Sequence, residues 1–251
     1  MREMVEVEVS SLFQIGDKVV HPMHGAGIVE SIVQKKVNGV MRDYYVLKLP
    51  VRAMVVMIPT ENSEEIGVRP IVDREQADQV LAACDRGDVL LLQNEINLLP
   101  YIVEKAYGRG MEIALNPSPI NDQLGKLPLE KIRYFILNEL TGEEAPEDIL
   151  REFRRRYPEA VVVLTLGKSG AVYDDGHTRC RHGIYKVPVV DTTAAGDTFT
   201  GFFLTAATAG MEPEEALRIA SVASSLAVSR QGAAPSIPTM AEVLEADLAP
   251  C

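Results

Sequence analysis

The sequence contains no tryptophan and only three cysteines in 251 residues. The cysteines, at positions 84, 180 and 251, are odd in number and far apart, so we expect no disulfide framework and a reducing compartment. No apolar run is long enough to cross a bilayer, and residues 1–8 carry acids where a signal peptide carries bases before an apolar segment. These absences predict a cytoplasmic protein without a membrane partner.

An excess of basic residues is also lacking. The chain has 25 Lys and Arg against 36 Asp and Glu, a formal net charge of −11 at pH 7. Broad binding to the phosphate backbone of nucleic acids requires the opposite balance, so direct nucleic-acid binding is not expected. The hydrophobic content of 47% and the charged content of 24% are typical of a chain that folds around a packed core.

The stretch from Asp191 to Phe203 predicts a strand, a tight turn and a helix start, because the apolar run 185–190 precedes it and a helical pattern follows. Small residues at 194–196 allow a ligand close to the backbone, and the free amides of a first helical turn attract anions. Asp197 beside such an anion site suits a base that takes a proton from a hydroxyl. The alternative at this point is that Asp197 is only a helix N-cap.

The same stretch, Asp191-Thr-Thr-Ala-Ala-Gly-Asp-Thr-Phe199, resembles the C-terminal signature of the ribokinase-like (PfkB) sugar kinases. That family usually has glycine where Ala194 stands. The likeness runs from about residue 88 to about residue 244 and includes four further segments in the family's order: 90–95, 114–119, 165–170 and 230–238. The resemblance implies an ATP-dependent phosphotransferase that acts on a sugar or nucleoside hydroxyl.

The resemblance also implies roles for particular residues. Asp197 matches the catalytic base, and the turn that forms the anion hole comprises Ala194, Ala195, Gly196 and Asp197. The positions that match nucleotide-binding residues are Asn138, Thr165, Gly167, Lys168, Ser169, Gly170 and Ser221. The positions that match the surroundings of a monovalent cation, potassium, are Asp191, Thr193, Ala227, Arg230, Gly232 and Ser236.

Magnesium is a further expected cofactor. Asn138-Glu139 resembles the start of the family's Asn-x-x-Glu motif, but Thr141 stands where the second acid is expected. Glu143 or Glu144 could substitute for it. Taken alone, the loop 167–170 is equally a plain turn between strands.

The family's N-terminal half, with its glycine-rich sugar site, hinge and lid, has no counterpart before Asp88. Without a lid, water is poorly excluded and the phosphate acceptor is poorly oriented, so impaired catalysis is expected. The missing strands would also leave an edge exposed beside 89–92, which predicts a homo-oligomer.

Residues 13–72 show short β-branched and aromatic runs at close spacing, with Asn38-Gly39 as a hairpin turn, and predict a small curled sheet or barrel. This region resembles the N-terminal domain of CarD-type transcription regulators, which is a Tudor-like β-barrel that binds the RNA polymerase β subunit. The resemblance is carried by residues 13–22, 24–28, 44–50, 56–59 and 67–70. The helical part of that family, which contacts promoter DNA, is not visible here.

Two other hypotheses of function therefore remain beside the kinase hypothesis. In one, the chain is a transcription-associated module with a non-catalytic kinase-like half. In the other, it is a chimeric product with neither activity. The predicted domains are a CarD-like Tudor-type barrel (1–72), a helical linker (73–87) and a ribokinase-like nucleotide-binding half (88–251).

From residue 88 onward, strands and helices alternate, so a mainly parallel sheet with flanking helices is expected. We predict strands at 89–92, 112–115, 134–137 and 161–165, with two or three more within 172–187. We predict helices at 98–107, 146–157, 197–209, 213–229 and 239–247. Ligands bind at the carboxyl ends of strands in such sheets, so the loops 165–170 and 191–197 should face one crevice.

Three polar clusters carry weaker signals. His21 and His24 fit turn residues better than metal ligands, and the group His177, Cys180 and His182 fits a solvated loop. The arginines at 154–156 fit a solvated helix end, where positive charge suits the helix dipole.

Overall fold

The structure is a computed structural model that describes residues 12–22, 25–49, 54–93, 96–118, 124–138 and 145–251. The chain forms two compact units: residues 1–84 with 95–105, and residues 85–94 with 106–251. Within the described ranges, no helix has both the length and the apolar surface that a bilayer crossing requires.

The first unit is built on an antiparallel sheet of five strands in the order β4-β3-β2-β1-β5. Its strands are β1 (Lys18–His21), β2 (Gly25–Val37), β3 (Val40–Leu49), β4 (Met54–Pro59) and β5 (Arg69–Pro70). The predicted hairpin turn is confirmed, because Asn38 and Gly39 have φ values of 51° and 85°, in the left-handed region that such a turn needs. No pairing joins β4 to β5 among the described strands, so barrel closure stays a prediction.

A small core and a capped helix complete this unit. The core consists of Phe13, Val19, Val29, Tyr45, Leu47, Ile58 and Val68. Helix α1 (Arg74–Ala82) begins at Asp73, whose carboxylate accepts a hydrogen bond from the Gln76 amide at 2.8 Å. The Gln76 side chain accepts in return from the Asp73 amide at 3.1 Å, a capping box that fixes where the predicted helix starts.

The second unit contains a six-stranded sheet in the order β11-β10-β9-β8-β7-β6. Its strands are β6 (Val89–Gln93), β7 (Glu112–Asn116), β8 (Tyr134–Asn138), β9 (Val161–Thr165), β10 (Ala171–Asp174) and β11 (Arg179–His182). The strands from β6 to β9 are parallel, and β10 and β11 are antiparallel. The mainly parallel sheet predicted from the alternating pattern is therefore confirmed.

The remaining helices lie close to their predicted positions. They are α2 (Leu99–Gly108), α3 (Pro146–Arg156), α4 (Ala195–Thr208), α5 (Pro213–Val228) and α6 (Met240–Glu245). Pro146 and Pro213 occupy the first turn of their helices, where the missing N–H has no intrahelical partner to lose.

The main core lies between this sheet and helices α4 and α5. Phe203 of α4 and Leu217 of α5 are fully buried beside strand residues such as Val163. Small buried residues recur along α5 at intervals of three or four, namely Ala216, Ala220, Ala223 and Ala227. Their small side chains let α5 pack closely, so the start of α4 is held by a rigid neighbour.

Two local predictions are corrected. The run 185–190 is not a strand; only Tyr185 pairs, in an isolated bridge with Pro250. Pro188 has no N–H to donate, and Val189 and Val190 are 68% and 54% exposed, so neither pairing nor burial favours a strand. Arg154 is not a solvated helix end, because it forms an ion pair with Asp174 at 2.9 Å and its side chain is only 22% exposed.

Candidate active site

The turn before α4 places Asp197 inside the helix rather than at its cap. Ala194 is the N-cap residue, with φ 61° and no side-chain capping bond, and Ala195 is the first helical residue. The backbone of Ala194 takes the left-handed conformation that glycine adopts with less strain. Asp197 is therefore the third helical residue, and the alternative that it serves as the N-cap is wrong.

The first turn of α4 presents backbone donors to a cavity. Gly196 and Asp197 belong to the turn whose N–H groups have no intrahelical acceptor, and the helix dipole adds positive potential there. A cavity of about 370 Å³ lies in front of this turn. It is lined by Asn138, Thr165, Gly167, Gly170, Ile184, Ala195, Gly196, Phe199, Ser221, Ser224 and Ser225.

Strands β8 and β9 bring two predicted nucleotide-binding residues to this cavity. Asn138 and Thr165 end neighbouring parallel strands, and the Thr165 hydroxyl lies 2.8 Å from Asn138 Oδ1. The same hydroxyl lies 3.1 Å from the Leu137 carbonyl. These bonds hold both polar side chains at the carboxyl edge of the sheet, where ligands bind in parallel α/β folds.

The loop after β9 contributes the glycines. Gly170 has φ 85°, and a Cβ atom built on it would lie 2.0 Å from the His182 carbonyl oxygen, so only glycine fits there. Its carbonyl accepts a hydrogen bond from the Leu166 amide at 2.7 Å, which closes the loop. Gly167 and Gly170 line the cavity, whereas Lys168 and Ser169 do not. Arg181 donates to the Ser169 carbonyl at 3.0 Å.

Asp197 itself is exposed to solvent. Its Oδ1 atom accepts a hydrogen bond from the side-chain amide of Gln93 at 2.9 Å. Sequence reasoning assigned no role to Gln93. The available signal was its position at the end of β6, because the carboxyl ends of parallel strands meet at one edge of the sheet.

The residues predicted around a monovalent cation are only partly brought together. The Asp191 carboxylate accepts from the Thr193 amide at 2.9 Å and from the Gly232 amide at 3.0 Å. Hydrogen bonds from the Thr193 side chain, the Thr193 amide and the Gly232 amide lower the pKa of Asp191. Asp191, Thr193 and Gly232 thus form one hydrogen-bonded group.

The other three residues of that predicted set make their own contacts. The Ala227 carbonyl accepts from the Arg230 amide at 3.0 Å, and the Arg230 guanidinium pairs with Glu242 at 2.6 Å. Ser236 is fully buried and donates to the Ala233 carbonyl at 2.7 Å.

The described residues contain no group of three His, Cys, Asp or Glu side chains that could hold a metal ion. His182 lies 3.0 Å from the Tyr185 hydroxyl. His21 ends β1 and is buried, so it is a strand residue rather than a turn residue. His24 and the four residues considered for magnesium lie outside the described ranges: Glu139, Thr141, Glu143 and Glu144.

The chain has relatives among the ribokinases. Ribokinase from Bacillus subtilis strain 168 is 31% identical over 247 residues, an alignment that covers 94% of this chain and 81% of the relative. The chain belongs to the pfkB family of carbohydrate kinases. The family model for pfkB carbohydrate kinases matches residues 120–240, which include the glycine loop 167–170 and the start of α4.

Other ribokinases are matched over less of their length. Ribokinase from Lactococcus lactis is 31% identical, with 75% of the pfkB-family chain and 61% of the relative aligned. The structure of Arabidopsis thaliana ribokinase complexed with ribose and ATP matches at 28% identity with a TM-score of 0.58, over 77% of this chain and 65% of that one. The chain thus spans less than two thirds of these two relatives.

Residues 13–72 are similar to a different family. The model of the CarD-like/TRCF RID domain matches residues 13–72. The YdeB protein of Bacillus subtilis strain 168 is 45% identical over 62 residues, which are 25% of this chain and 40% of that protein. A CarD-like domain therefore precedes the pfkB domain in one chain.

Proposed function

We propose that the second unit binds ATP and transfers its terminal phosphoryl group to a hydroxyl of a sugar or nucleoside. The observation that carries this proposal is the cavity of about 370 Å³ that joins the glycine loop after β9 to the first turn of α4. One relative was solved with ribose and ATP, which is consistent with the same ligands here. Asp197 follows directly on the cavity residue Gly196, so a base adjoins the phosphate end of the cavity.

The proposed roles follow from the chemistry of these groups. ATP supplies the phosphoryl group. Asp197 takes the proton of the acceptor hydroxyl while the hydroxyl oxygen bonds to phosphorus and the bond from phosphorus to the ADP oxygen breaks. The amides of Ala194, Ala195, Gly196 and Asp197 face the charge on the transferred group, which is where preorganised donors lower a barrier most.

The lining residues fit a nucleotide. Gly167 and Gly196 leave backbone donors uncovered, whereas the Gly170 amide donates to the Gly167 carbonyl at 3.1 Å. Asn138, Thr165 and Ser221 add polar side chains. Lys168 and Ser169, which do not line the cavity, remain in this proposal as loop residues that a bound nucleotide could contact.

A potassium ion is proposed beside the anion turn. Carboxylate and carbonyl oxygens suit such a hard cation. The residues proposed to supply them are Asp191, Thr193, Ala227, Arg230, Gly232 and Ser236. Magnesium is proposed to reach the phosphates near Asn138.

Asp197 tests the enzymatic proposal directly. We expect Asp197→Asn to lower turnover of ATP with a panel of sugars and nucleosides by at least ~100-fold, the usual contribution of a general base. Because the amides remain, ATP affinity measured by calorimetry should stay within about twofold. Asp247→Asn, at an exposed aspartate outside the cavity, is the matched control. Equal turnover in the wild type and Asp197→Asn would exclude this role.

Catalysis is expected to be slow. In this proposal a CarD-like domain, matched at residues 13–72, stands where the family's N-terminal half supplies the sugar site and lid. An acceptor held without such a lid is poorly oriented, so a high KM for the acceptor is expected beside ordinary ATP affinity.

The CarD-like match favours a second candidate function for residues 13–72, namely binding of the RNA polymerase β subunit. In this proposal the sheet closes into a Tudor-like barrel, and the chain divides into 1–72, a linker 73–87 and 88–251. Retention of the full chain by immobilised β subunit at low salt is expected. Val55→Glu on the outer strand β4 should weaken retention, whereas Val80→Glu, an equally exposed change in α1, should not. No retention of the wild type would count against it.

Self-association is proposed as well. In the described sheet β6 is the last strand, and its Leu91 is 40% exposed. Such an edge favours pairing with a second copy. A strictly monomeric mass in light scattering at micromolar concentration would refute this proposal.

A further inference from the structure

The Asp197 carboxylate has a neutral partner among the described residues. Its Oδ1 atom accepts from Gln93 Nε2 at 2.9 Å, across 104 positions of sequence. Gln93 is the last residue of β6, and the preceding Leu92 is only 4% exposed and anchors the strand in the core. The amide is therefore presented from a rigid element, whereas Asp197 lies on an exposed helix turn.

A base needs a fixed orientation as well as an affinity for the proton. An exposed carboxylate samples several rotamers, and each rotamer turns its free lone pairs in a different direction. A single donor on Oδ1 selects the rotamers that meet Gln93 and leaves Oδ2 to face an acceptor hydroxyl. A cation in the same place would stabilise the charged carboxylate and weaken it as a base, and a neutral amide does so less.

We infer that Gln93 is a positioning residue that orients Asp197 for proton removal from the acceptor hydroxyl. This inference rests on the proposed function and adds to it a residue from outside the α4 turn. Gln93 acts through Asp197, so its loss lowers the rate of the proton-transfer step and leaves ATP affinity unchanged. The contribution is modest, because the hydrogen bond is exposed to solvent.

The experiment measures kcat and, by calorimetry, the Kd for ATP in six variants of the full chain, Asp197→Asn among them. Gln93→Leu removes the donor at similar volume, and Gln93→Glu keeps the shape but places an acceptor beside Asp197. Each substitution is made in the wild type and in Asp197→Asn. Gln34→Leu, an exposed glutamine in β2, is the matched control.

We expect Gln93→Leu to lower kcat roughly three- to tenfold with an unchanged ATP Kd, since one such bond is worth about 1 kcal/mol. Gln93→Glu should lower kcat further, because two carboxylates repel. In the Asp197→Asn background Gln93→Leu should have no further effect, because the base that it orients is gone.

The outcomes separate the two proposals. Suppose that Asp197→Asn lowers turnover of ATP, as the proposed function requires. If Gln93→Leu and Gln93→Glu then retain the full kcat of the wild type, this inference is wrong and the proposed function stands. An equal loss in both backgrounds, or a parallel loss of ATP affinity, also overturns the positioning role. If Asp197→Asn matches the wild type, the proposed function fails, and this inference fails with it.

Discussion

The hydroxyl of Ser224 donates a hydrogen bond to the carbonyl of Ala195 at 3.1 Å and so ties the middle of α5 to the first turn of α4. Both residues line the candidate nucleotide cavity. The bond fixes the turn whose amides are proposed to hold the phosphates. The direction of these amides therefore depends on a side chain from another helix.

Replacing Ser224 should loosen this turn. We expect Ser224→Ala to weaken ATP binding roughly three- to tenfold by calorimetry, because a hydrogen bond of about 1 kcal/mol no longer orients the donors. Ser224→Thr keeps the hydroxyl and should restore most of the affinity. Ser229→Ala removes a similar bond, to the Leu226 carbonyl at 2.7 Å, near the end of the same helix and should leave ATP affinity unchanged. An unaffected Ser224→Ala would contradict this view of the turn.

Gly170 should tolerate no side chain. Its φ of 85° is strained for other residues, and a Cβ would meet the His182 carbonyl oxygen at 2.0 Å, so Gly170→Ala is expected to lower the free energy of unfolding by about 3 kcal/mol or more. Chemical denaturation measures this change. Gly183→Ala is the matched control, because nothing lies within 4 Å of its Cβ position. Similar unfolding midpoints for the two variants would show that the close approach is absent in solution.

Asp174 should make stability depend on pH. Burial raises the pKa of Asp174, but hydrogen bonds from Arg179, the Gly176 amide and Arg154 outweigh it, so the pKa lies below the ordinary value of 3.8. A depressed folded pKa means that the stabilisation is complete above about pH 4 and is lost as pH falls through the folded value.

Asp174→Asn tests this dependence. Arg154 loses its anion, Arg179 keeps only Glu147, and the Asp174 side chain is only 6% exposed, so a loss of about 3 kcal/mol is expected at pH 7. The difference from the wild type should shrink in urea unfolding at pH 3. The exposed pair of Asp148 with Arg151 provides the control, where Asp148→Asn should change stability by less than about 0.5 kcal/mol. A difference that is independent of pH would contradict the assignment.

Asp191 should link potassium to nucleotide binding. Its carboxylate joins the Thr193 and Gly232 amides, so Asp191→Ala frees both segments of the proposed cation site. We expect potassium to tighten ATP binding to the wild type and to have little effect on Asp191→Ala. Calorimetry in potassium and in a large organic cation compares the two. A potassium effect that persists in the variant would place the cation elsewhere.

Helices with strong local signals were predictable from the sequence. Pro146 and Pro213 mark helix starts, and the mainly parallel sheet followed from the alternating pattern. The run 185–190 misled because Val189 and Val190 are exposed and only Tyr185 forms a β-bridge. Burial and pairing are tertiary properties that hydrophobicity alone does not reveal.

The candidate site was predictable only in part, for a similar reason. Motif positions such as Gly170 and Gly196 do line one cavity. The hydrogen bonds from Gln93 to Asp197 and from Ser224 to Ala195 were missed, because the partners lie 104 and 29 positions apart in the sequence. Arg154 was misread because Asp174, its partner, is 20 positions away.

The tight contact of Gly170 with the backbone around His182 has a dynamic consequence. The loop 167–170, which is proposed to hold a nucleotide, cannot open without disturbing β11, because Arg181 also donates a hydrogen bond to the Ser169 carbonyl. Hydrogen–deuterium exchange of the β11 amides should therefore slow when a nucleotide binds, although residues 179–182 need not touch it. Nucleotide binding in the cavity would thus change the amide exchange rates of β11, the edge strand opposite β6.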